Sequence, residues 1–388
     1  MVLLFSVPGC ANTDRQTPEP LNASEQYYNY IQPSFPQYLR ATRKWLTGNR
    51  NFISSDRNKE ISMNMPFALS PGVPSDKAIL LVHGLGDSPF SFSDLGPTLA
   101  KQGFHVQSLL LPGHGSKPED LRLPAYADWQ MIVDHYANLL KQQYAEVWLG
   151  GFSTGANLVT IHTIEQGGVE GLLLFSPGFV SQAPILEKFA PLAAVFHDGY
   201  AAEERNMARY TSAPIEGAIT YSERAGRVRE LLREGVSAKA IIAVSEADSI
   251  VDPEAVYELY RKHFRNPHNR FVWYGERAFA DRSVESLTMK VATSRVSTGS
   301  HMSPLFAPLN PYYGQKGARR MCMNSFDKEA TRRCESGEDV WFAAWGYEEE
   351  GKIHARLTWN PYYARLADSI RRLTASHSEN RGISRLAR

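Results

Sequence analysis

The sequence predicts an α/β fold in which a mostly parallel sheet is covered by helices on both faces. Two observations carry that prediction. Short, wholly apolar runs recur along the chain: Ala78-Ile79-Leu80-Leu81-Val82, Val147-Trp148-Leu149, Gly171-Leu172-Leu173-Leu174-Phe175 and Ala240-Ile241-Ile242-Ala243-Val244. Strands buried on both faces read this way, without polar alternation. Stretches with helical spacing lie between them. The clearest is 128–144, where Ile132, Val133, Tyr136, Leu139 and Leu140 share one side. Alternation of this kind builds a parallel sheet with two covered faces. The chain has 388 residues and a net charge of +1. That is long enough for one large core carrying insertions, and the mixed charge gives no electrostatic footprint for nucleic acid. No apolar stretch reaches the roughly 20 residues needed to span a bilayer.

In chain order, residues 1–23 form a leader and tether. Val2 to Val7 is apolar, Pro8-Gly9 follows, and then comes Cys10. This resembles the end of a bacterial lipoprotein signal, in which the cysteine is lipidated, although no basic residue precedes the apolar stretch. The other reading is an incidental cysteine in a frayed terminus. Two further cysteines, Cys322 and Cys334, complete a total of three. As an even pair they suit a disulfide in an oxidising compartment. Together these features place the protein in a bacterial envelope, lipid-anchored or periplasmic; without them it is cytoplasmic.

The first part of the core spans 24–178. Its aromatic-rich start, 24–45, is broken by Pro33 and Pro36 and reads as short helices on the outside. A first strand pair is expected at 61–69. The run 77–82 leads into His83-Gly84-Leu85-Gly86, and Ser88 then caps a helix with Pro89 in its first turn. Leu95 and Leu99 share a helical face, and a strand at 105–111 ends in Leu-Pro-Gly-His-Gly. Residues 179–238 break the alternation and read as a cap or lid at the C-terminal ends of the strands. The second part of the core is 239–375, with a cysteine-containing extension. Within it 276–290 is polar and irregular, a last strand is expected near 291–297, and a final helix follows Asn360-Pro361 and docks through Leu366, Ile370 and Leu373. The tail, 376–388, has a disordered composition.

The chemistry centres on Gly151-Phe152-Ser153-Thr154-Gly155, which fits G-x-S-x-G between a strand and a helix. So sharp a turn strains the serine backbone, and side chains two residues either side would collide, so glycine stands there. The hydroxyl is lifted to a helix N-terminus, where N–H groups face incoming negative charge. A serine hydroxyl needs a base within reach, and the base needs an orienting acid. Asp248, just past the 240–244 strand, is the acid candidate, with Glu246 and Asp252 as alternatives. His301, in Ser300-His301-Met302-Ser303-Pro304, is the base candidate; His263 and His268 fall at a helix end and His354 lies late. The N–H groups of Leu85 and Thr154 are the candidate oxyanion donors. His83 reads as a brace for its loop and His114 as a turn organiser. Neither a metal-ligand pattern nor a cofactor motif is present.

These pieces together resemble the α/β-hydrolase superfamily, in particular its monoacylglycerol lipase and lysophospholipase-like branch. They are His83-Gly84-x-Gly, Leu111-Pro112-Gly113-His114-Gly115-Ser116, Gly151-x-Ser153-x-Gly155, Asp248-x-Ile-Val and the late His301. The resemblance runs from about Lys77 to Pro304. It implies an eight-stranded sheet, a helical cap inserted after strand 6, and esterase or lipase activity on small-molecule or lipid esters without a cofactor. It departs in the long gap between Asp248 and His301 and in the segment 310–340. The competing readings are acyl transfer or amide hydrolysis on the same residues, or an inert envelope binding protein.

Overall fold

The computed structural model describes residues 27–123, 126–183, 199–200 and 203–375. Cys10, the tether and the 376–388 tail lie outside the described residues. Eight strands form one sheet: β1 (Phe67–Leu69), β2 (Lys77–Val82), β3 (Phe104–Leu109), β4 (Glu146–Phe152), β5 (Gly171–Phe175), β6 (Lys239–Ser245), β7 (Arg270–Tyr274) and β8 (Val284–Leu287). Their order is β1-β3-β2-β4-β5-β6-β7-β8. Only β1 runs antiparallel to its neighbour; every other pairing is parallel. The insertion leaves after Gly171–Phe175, which is the fifth strand of the sheet in chain order among the described residues and not the sixth that the resemblance implies.

The apolar runs divide cleanly between two cores. Ala78, Leu80, Val82, Leu149, Leu172, Leu174, Ile242 and Val244 point to one face. Ile79, Leu81, Trp148, Leu173, Ile241 and Ala243 point to the other. This is the period-two geometry of a strand with no solvent face, and each large side chain so buried contributes roughly 1.5–3 kcal/mol. The first face is covered by α4 (Tyr126–Gln143) through Trp129, Ile132, Val133 and Tyr136, and by α5 (Thr154–Gln166). The second face takes α3 (Leu95–Lys101) and the final helix, α9 (Tyr363–Thr374), which docks through Leu366, Ile370 and Leu373. Part of the 179–238 insertion belongs to the core and not to a lid. Its helix α6 (Ile215–Leu231) packs on α5 and sends Val228 and Leu231 into the first core.

Four local expectations change. Residues 61–69 are not a strand pair. A helix, α2 (Arg57–Asn64), precedes β1, because Asp56 caps it by accepting from the Lys59 N–H. Its Glu60 is fully buried, in an ion pair with Arg50 at 2.9 Å. The aromatic N-terminal region forms one helix, α1 (Phe35–Asn49), with Pro36 in its first turn. The polar 276–290 stretch contains the edge strand β8, whereas 291–297 holds a short 3₁₀ turn, Ala292–Ser294. An edge strand with one wet side need not be apolar, so its sequence reads as loop. A strand the sequence did not announce, β7, supplies Phe271, Val272, Trp273 and Tyr274 to both cores.

The extension between His301 and α9 is built onto the second core. Leu305, Phe306, Tyr313, Phe342, Ala355 and Trp359 are buried there. A short helix, α8 (Lys328–Glu335), and a two-stranded ribbon, Trp341–Ala343 with His354–Arg356, complete it. Cys322 and Cys334 are joined by a disulfide with Cα atoms 5.5 Å apart and 12 residues of sequence separation. Closing a loop of that size restricts the unfolded chain and stabilises by about 3 kcal/mol. The Cys322→Ala/Cys334→Ala variant should therefore lose about 2–4 kcal/mol in urea unfolding, and wild type in reducing agent should lose the same. An unfolding midpoint that neither change moves would contradict the bridge.

Candidate active site

Ser153 sits at φ 52°, ψ −116°, between the end of β4 and the start of α5. A non-glycine residue in that region is strained, and the neighbours show why it stays there. A β-carbon at Gly155 would lie 2.0 Å from the Val82 carbonyl oxygen, and one at Gly151 would lie 2.4 Å from the Ala156 nitrogen. The glycines therefore let α5 press directly against the end of β2. The Ser153 N–H donates to the Phe175 carbonyl at 3.0 Å, and its own carbonyl accepts from the Gly178 N–H at 3.2 Å. The turn is pinned from both sides, with Ser153 only 7% exposed.

Asp248 and His301 meet beside this turn. Asp248 Oδ2 accepts from His301 Nδ1 at 2.7 Å. The other oxygen, Oδ1, accepts from the N–H groups of Ile250 and Val251 at 2.8 and 3.0 Å. The aspartate thus caps its own turn with one oxygen and fixes the imidazole with the other. The His301 ring lies 4.9 Å from the ring of Phe152, the residue before Ser153. The rival carboxylates have other work. Glu246 accepts from the Trp273 indole at 2.9 Å and from the Arg277 N–H at 3.1 Å. Asp252 is the N-cap of helix α7 (Pro253–His263) and accepts from the Ala255 N–H. His354 faces Ser297 in the extension.

The N–H groups of Leu85, in the loop after β2, and of Thr154, at the start of α5, have no acceptor among the described residues. The Leu85 loop is held by two buried histidines. His83 Nε2 accepts from the Leu111 N–H at 3.0 Å and its Nδ1 donates to the Gly84 carbonyl at 2.8 Å. His114 Nε2 accepts from the Gly86 N–H at 2.9 Å and its Nδ1 donates to the Pro112 carbonyl at 3.1 Å. Each ring must be neutral to accept in this way.

Three contacts escaped the sequence reading. The Ser176 hydroxyl donates to the His301 carbonyl at 2.8 Å, fixing the backbone that carries the imidazole. Asp87, buried after the Leu85 loop, faces Arg209 at 3.5 Å. Burial pushes the Asp87 carboxyl up, and the Arg209 and His301 charges oppose that. The Arg209 guanidinium also reaches the sulfur of Met302, next to the base, at 3.0 Å. Nothing local in the sequence marks these partners, because each lies on a different segment.

The two braces make stability pH-dependent. Burial, and then the His114 charge, hold His83 well below its ordinary value, and burial pushes His114 down to about 4. Unfolding returns each ring to about 6.5. Between those values the unfolded chain binds more protons, so stability falls as the pH falls. The His114 contribution is complete above about pH 6.5 and is lost by about pH 4, some 3 kcal/mol in all. Urea unfolding free energies should therefore be level from pH 8 to 7 and decline from about 6.5 to 5. His114→Gln should flatten part of that decline, and an equal slope in the variant would contradict a neutral brace.

Residues 73–224 match the family described as serine aminopeptidase S33 (Hydrolase_4). The match includes the Ser153 turn and ends before Asp248. Over 88 residues, 23% of this chain and 35% of the relative, the chain is 35% identical to a thermostable monoacylglycerol lipase of Bacillus sp. (strain H-257). Over 91 residues, 23% of this chain and 36% of the relative, it is 32% identical to a carboxylesterase of Bacillus subtilis (strain 168). The chain thus spans about a third of the length of these curated relatives. A solved monoacylglycerol lipase from Paleococcus ferrophilus is 17% identical, covers 54% of this chain and 88% of its own, and gives a TM-score of 0.44. Strand order and the strained serine turn give the chain an α/β-hydrolase-type fold, and over residues 73–224 it is similar to the serine aminopeptidase S33 family.

Proposed function

We propose that the protein hydrolyses carboxylic esters through an acyl-enzyme on Ser153. The observation that carries this reading is the Asp248–His301 hydrogen bond at 2.7 Å, set beside the strained Ser153 turn. In this reading Ser153 Oγ attacks the ester carbonyl while His301 Nε2 takes the hydroxyl proton. The Leu85 and Thr154 N–H groups hold the oxyanion, each worth about 2.7–4 kcal/mol in the transition state. His301 then gives its proton to the departing alkoxide, and the alcohol leaves. Water, deprotonated by the same Nε2, attacks the acyl-enzyme, and collapse returns the proton to Ser153 and releases the acid. Asp248 accepts from Nδ1–H throughout, which leaves Nε2 free as the base and stabilises the imidazolium. Proton and bond counts close with water as the only co-reactant.

The envelope setting is part of the same proposal. Its support is the Cys322–Cys334 bridge, which suits an oxidising compartment, and the lipoprotein-like sequence at Cys10.

A p-nitrophenyl ester series from acetate to palmitate tests the chemistry. Wild type should turn over at least part of the series, and Ser153→Ala should abolish it. Asp248→Asn, which keeps the shape but favours the wrong tautomer, should lower kcat by about 10³–10⁴. A fluorophosphonate should label Ser153 in wild type and nothing in Ser153→Ala. A folded wild type that neither labels nor hydrolyses any member would overturn the proposal.

A further inference from the structure

A cleft of about 890 Å³ lies between the extension and the 203–211 segment, and five arginines line it: Arg205, Arg209, Arg319, Arg320 and Arg356. Two carboxylates share the lining, Glu203 and Glu335, and both pair with the exposed Arg205 at the rim. Arg209 pairs with the buried Asp87 at 3.5 Å, whereas Arg319, Arg320 and Arg356 have no carboxylate side-chain partner among the described residues. Among the described residues Arg356 reaches only neutral oxygens, Asn324 Oδ1 at 3.4 Å and the Met323 carbonyl at 3.3 Å. Arg320 reaches the Glu338 carbonyl. The Nε of Arg319 is buried with no hydrogen-bond partner among the described residues. A guanidinium taken out of water without a counter-ion is unfavourable, and several together repel one another. Burial, followed by the Arg209 charge, pushes Arg356 down to about 10. It therefore stays protonated near neutrality with no carboxylate paired to it among the described residues.

The cleft adjoins the Ser153 site through two of its lining residues, Arg209 and Tyr210. Arg209 lines it and also contacts Asp87 and Met302, which adjoin the Leu85 loop and His301. Tyr210, also in its wall, donates its N–H to the Gly86 carbonyl at 2.7 Å. A group lodged among Arg209, Arg319 and Arg356 would lie against the segment that touches the Leu85 loop and the residue after His301.

We propose that the ester cleaved at Ser153 carries an oxyanion group, phosphate or carboxylate, which these three arginines hold. The inference rests on the esterase reading and narrows its substrate from esters in general to anion-bearing ones. Guanidinium groups suit this task because their planar donors match such anions in bidentate geometry. Neutral and anionic esters of equal acyl length are therefore discriminated in this cleft and not at the scissile bond.

The test compares kcat/KM for 1-butyrylglycerol with that for 1-butyrylglycerol 3-phosphate, and for p-nitrophenyl butyrate with that for p-nitrophenyl hemisuccinate. Wild type should favour the anionic member of at least one pair by about tenfold to a hundredfold, and the preference should shrink as sodium chloride is raised. The pair that shows it separates phosphate from carboxylate. Arg356→Gln should cut that anionic-to-neutral ratio about tenfold or more. Arg319→Gln serves as a second variant should Arg356→Gln not fold, and Arg356→Lys should keep part of the ratio. Equal rates within both pairs in wild type, or a ratio that both Gln variants leave intact, would overturn the proposal. Calorimetry on Ser153→Ala with glycerol 3-phosphate and with succinate separates this from the esterase reading. Binding that Arg356→Gln removes would keep the anion site even if no ester is cleaved. No binding of either probe would remove the site even if neutral esters are cleaved.

Discussion

The close approach of α5 to β2 is the constraint on which the rest depends. A side chain at Gly155 would collide with the Val82 carbonyl, so the helix can start where it does only because two glycines flank Ser153. That contact forces the serine to φ 52°. Strain at such a residue costs on the order of 1–3 kcal/mol and persists only where the surroundings over-determine it. Here β5 and the segment after it do so, with the Phe175 carbonyl and the Gly178 N–H gripping Ser153 on both sides. The strain is thus held by the two buried cores. A serine at the same position on a flexible loop would relax and lose its aim.

The other parts of the site hang from the same strand ends. Asp248 follows β6, β6 pairs with β5 and β5 with β4, so Asp248 and the Ser153 turn hang from one sheet. His301 comes from much later in the chain and has no strand to hold it. Two hydrogen bonds take that place, one from its ring to Asp248 and one from the Ser176 hydroxyl to its carbonyl. Ser176 itself is fixed by its N–H to the Ala243 carbonyl on β6. His301 is therefore referenced to β5 and β6 at both its side chain and its backbone, the preorganisation that the proposed proton transfer would require.

Legibility in the sequence follows from how local each signal is. Strands buried on both faces must be apolar throughout, so β2, β5 and β6 stand out as runs. The strand β8 has one dry side only, with Glu285 half-buried and Ser286 exposed, and it reads as loop. The helix α2 owes its place to Asp56 and to the Arg50–Glu60 pair, interactions invisible in a hydrophobic pattern. The candidates Ser153, Asp248 and His301, which the structure brings together, were nameable because the proposed chemistry ties such residues to strand ends in a fixed order. The Ser176–His301 contact, the Asp87–Arg209 pair and the arginine cleft were not. They join segments far apart in the chain, and a lone arginine in a loop carries no sign of what it faces.

The contrast between two buried arginines bears on what the extension is for. Arg50 is nearly inaccessible and has a complete set of partners: Glu60 at 2.9 Å, the Gly115 carbonyl at 2.6 Å and the Met207 carbonyl at 2.9 Å. This fold therefore neutralises an internal guanidinium where the charge serves only structure. Arg356 is half-buried on the extension ribbon, its neighbours are neutral oxygens, and another arginine raises the cost of its charge. Replacing it with a neutral side chain would relieve that cost and leave the Trp341–Ala343/His354–Arg356 backbone pairing intact. A charge that destabilises its own element is kept where something outside the fold compensates it. The reaction machinery and the cleft are also built from separate parts of the chain. The former hangs on β4, β5 and β6; the latter is made by the 203–211 segment and the extension. The two meet at Arg209, so the identity of the bound anion can be set without disturbing the strained serine.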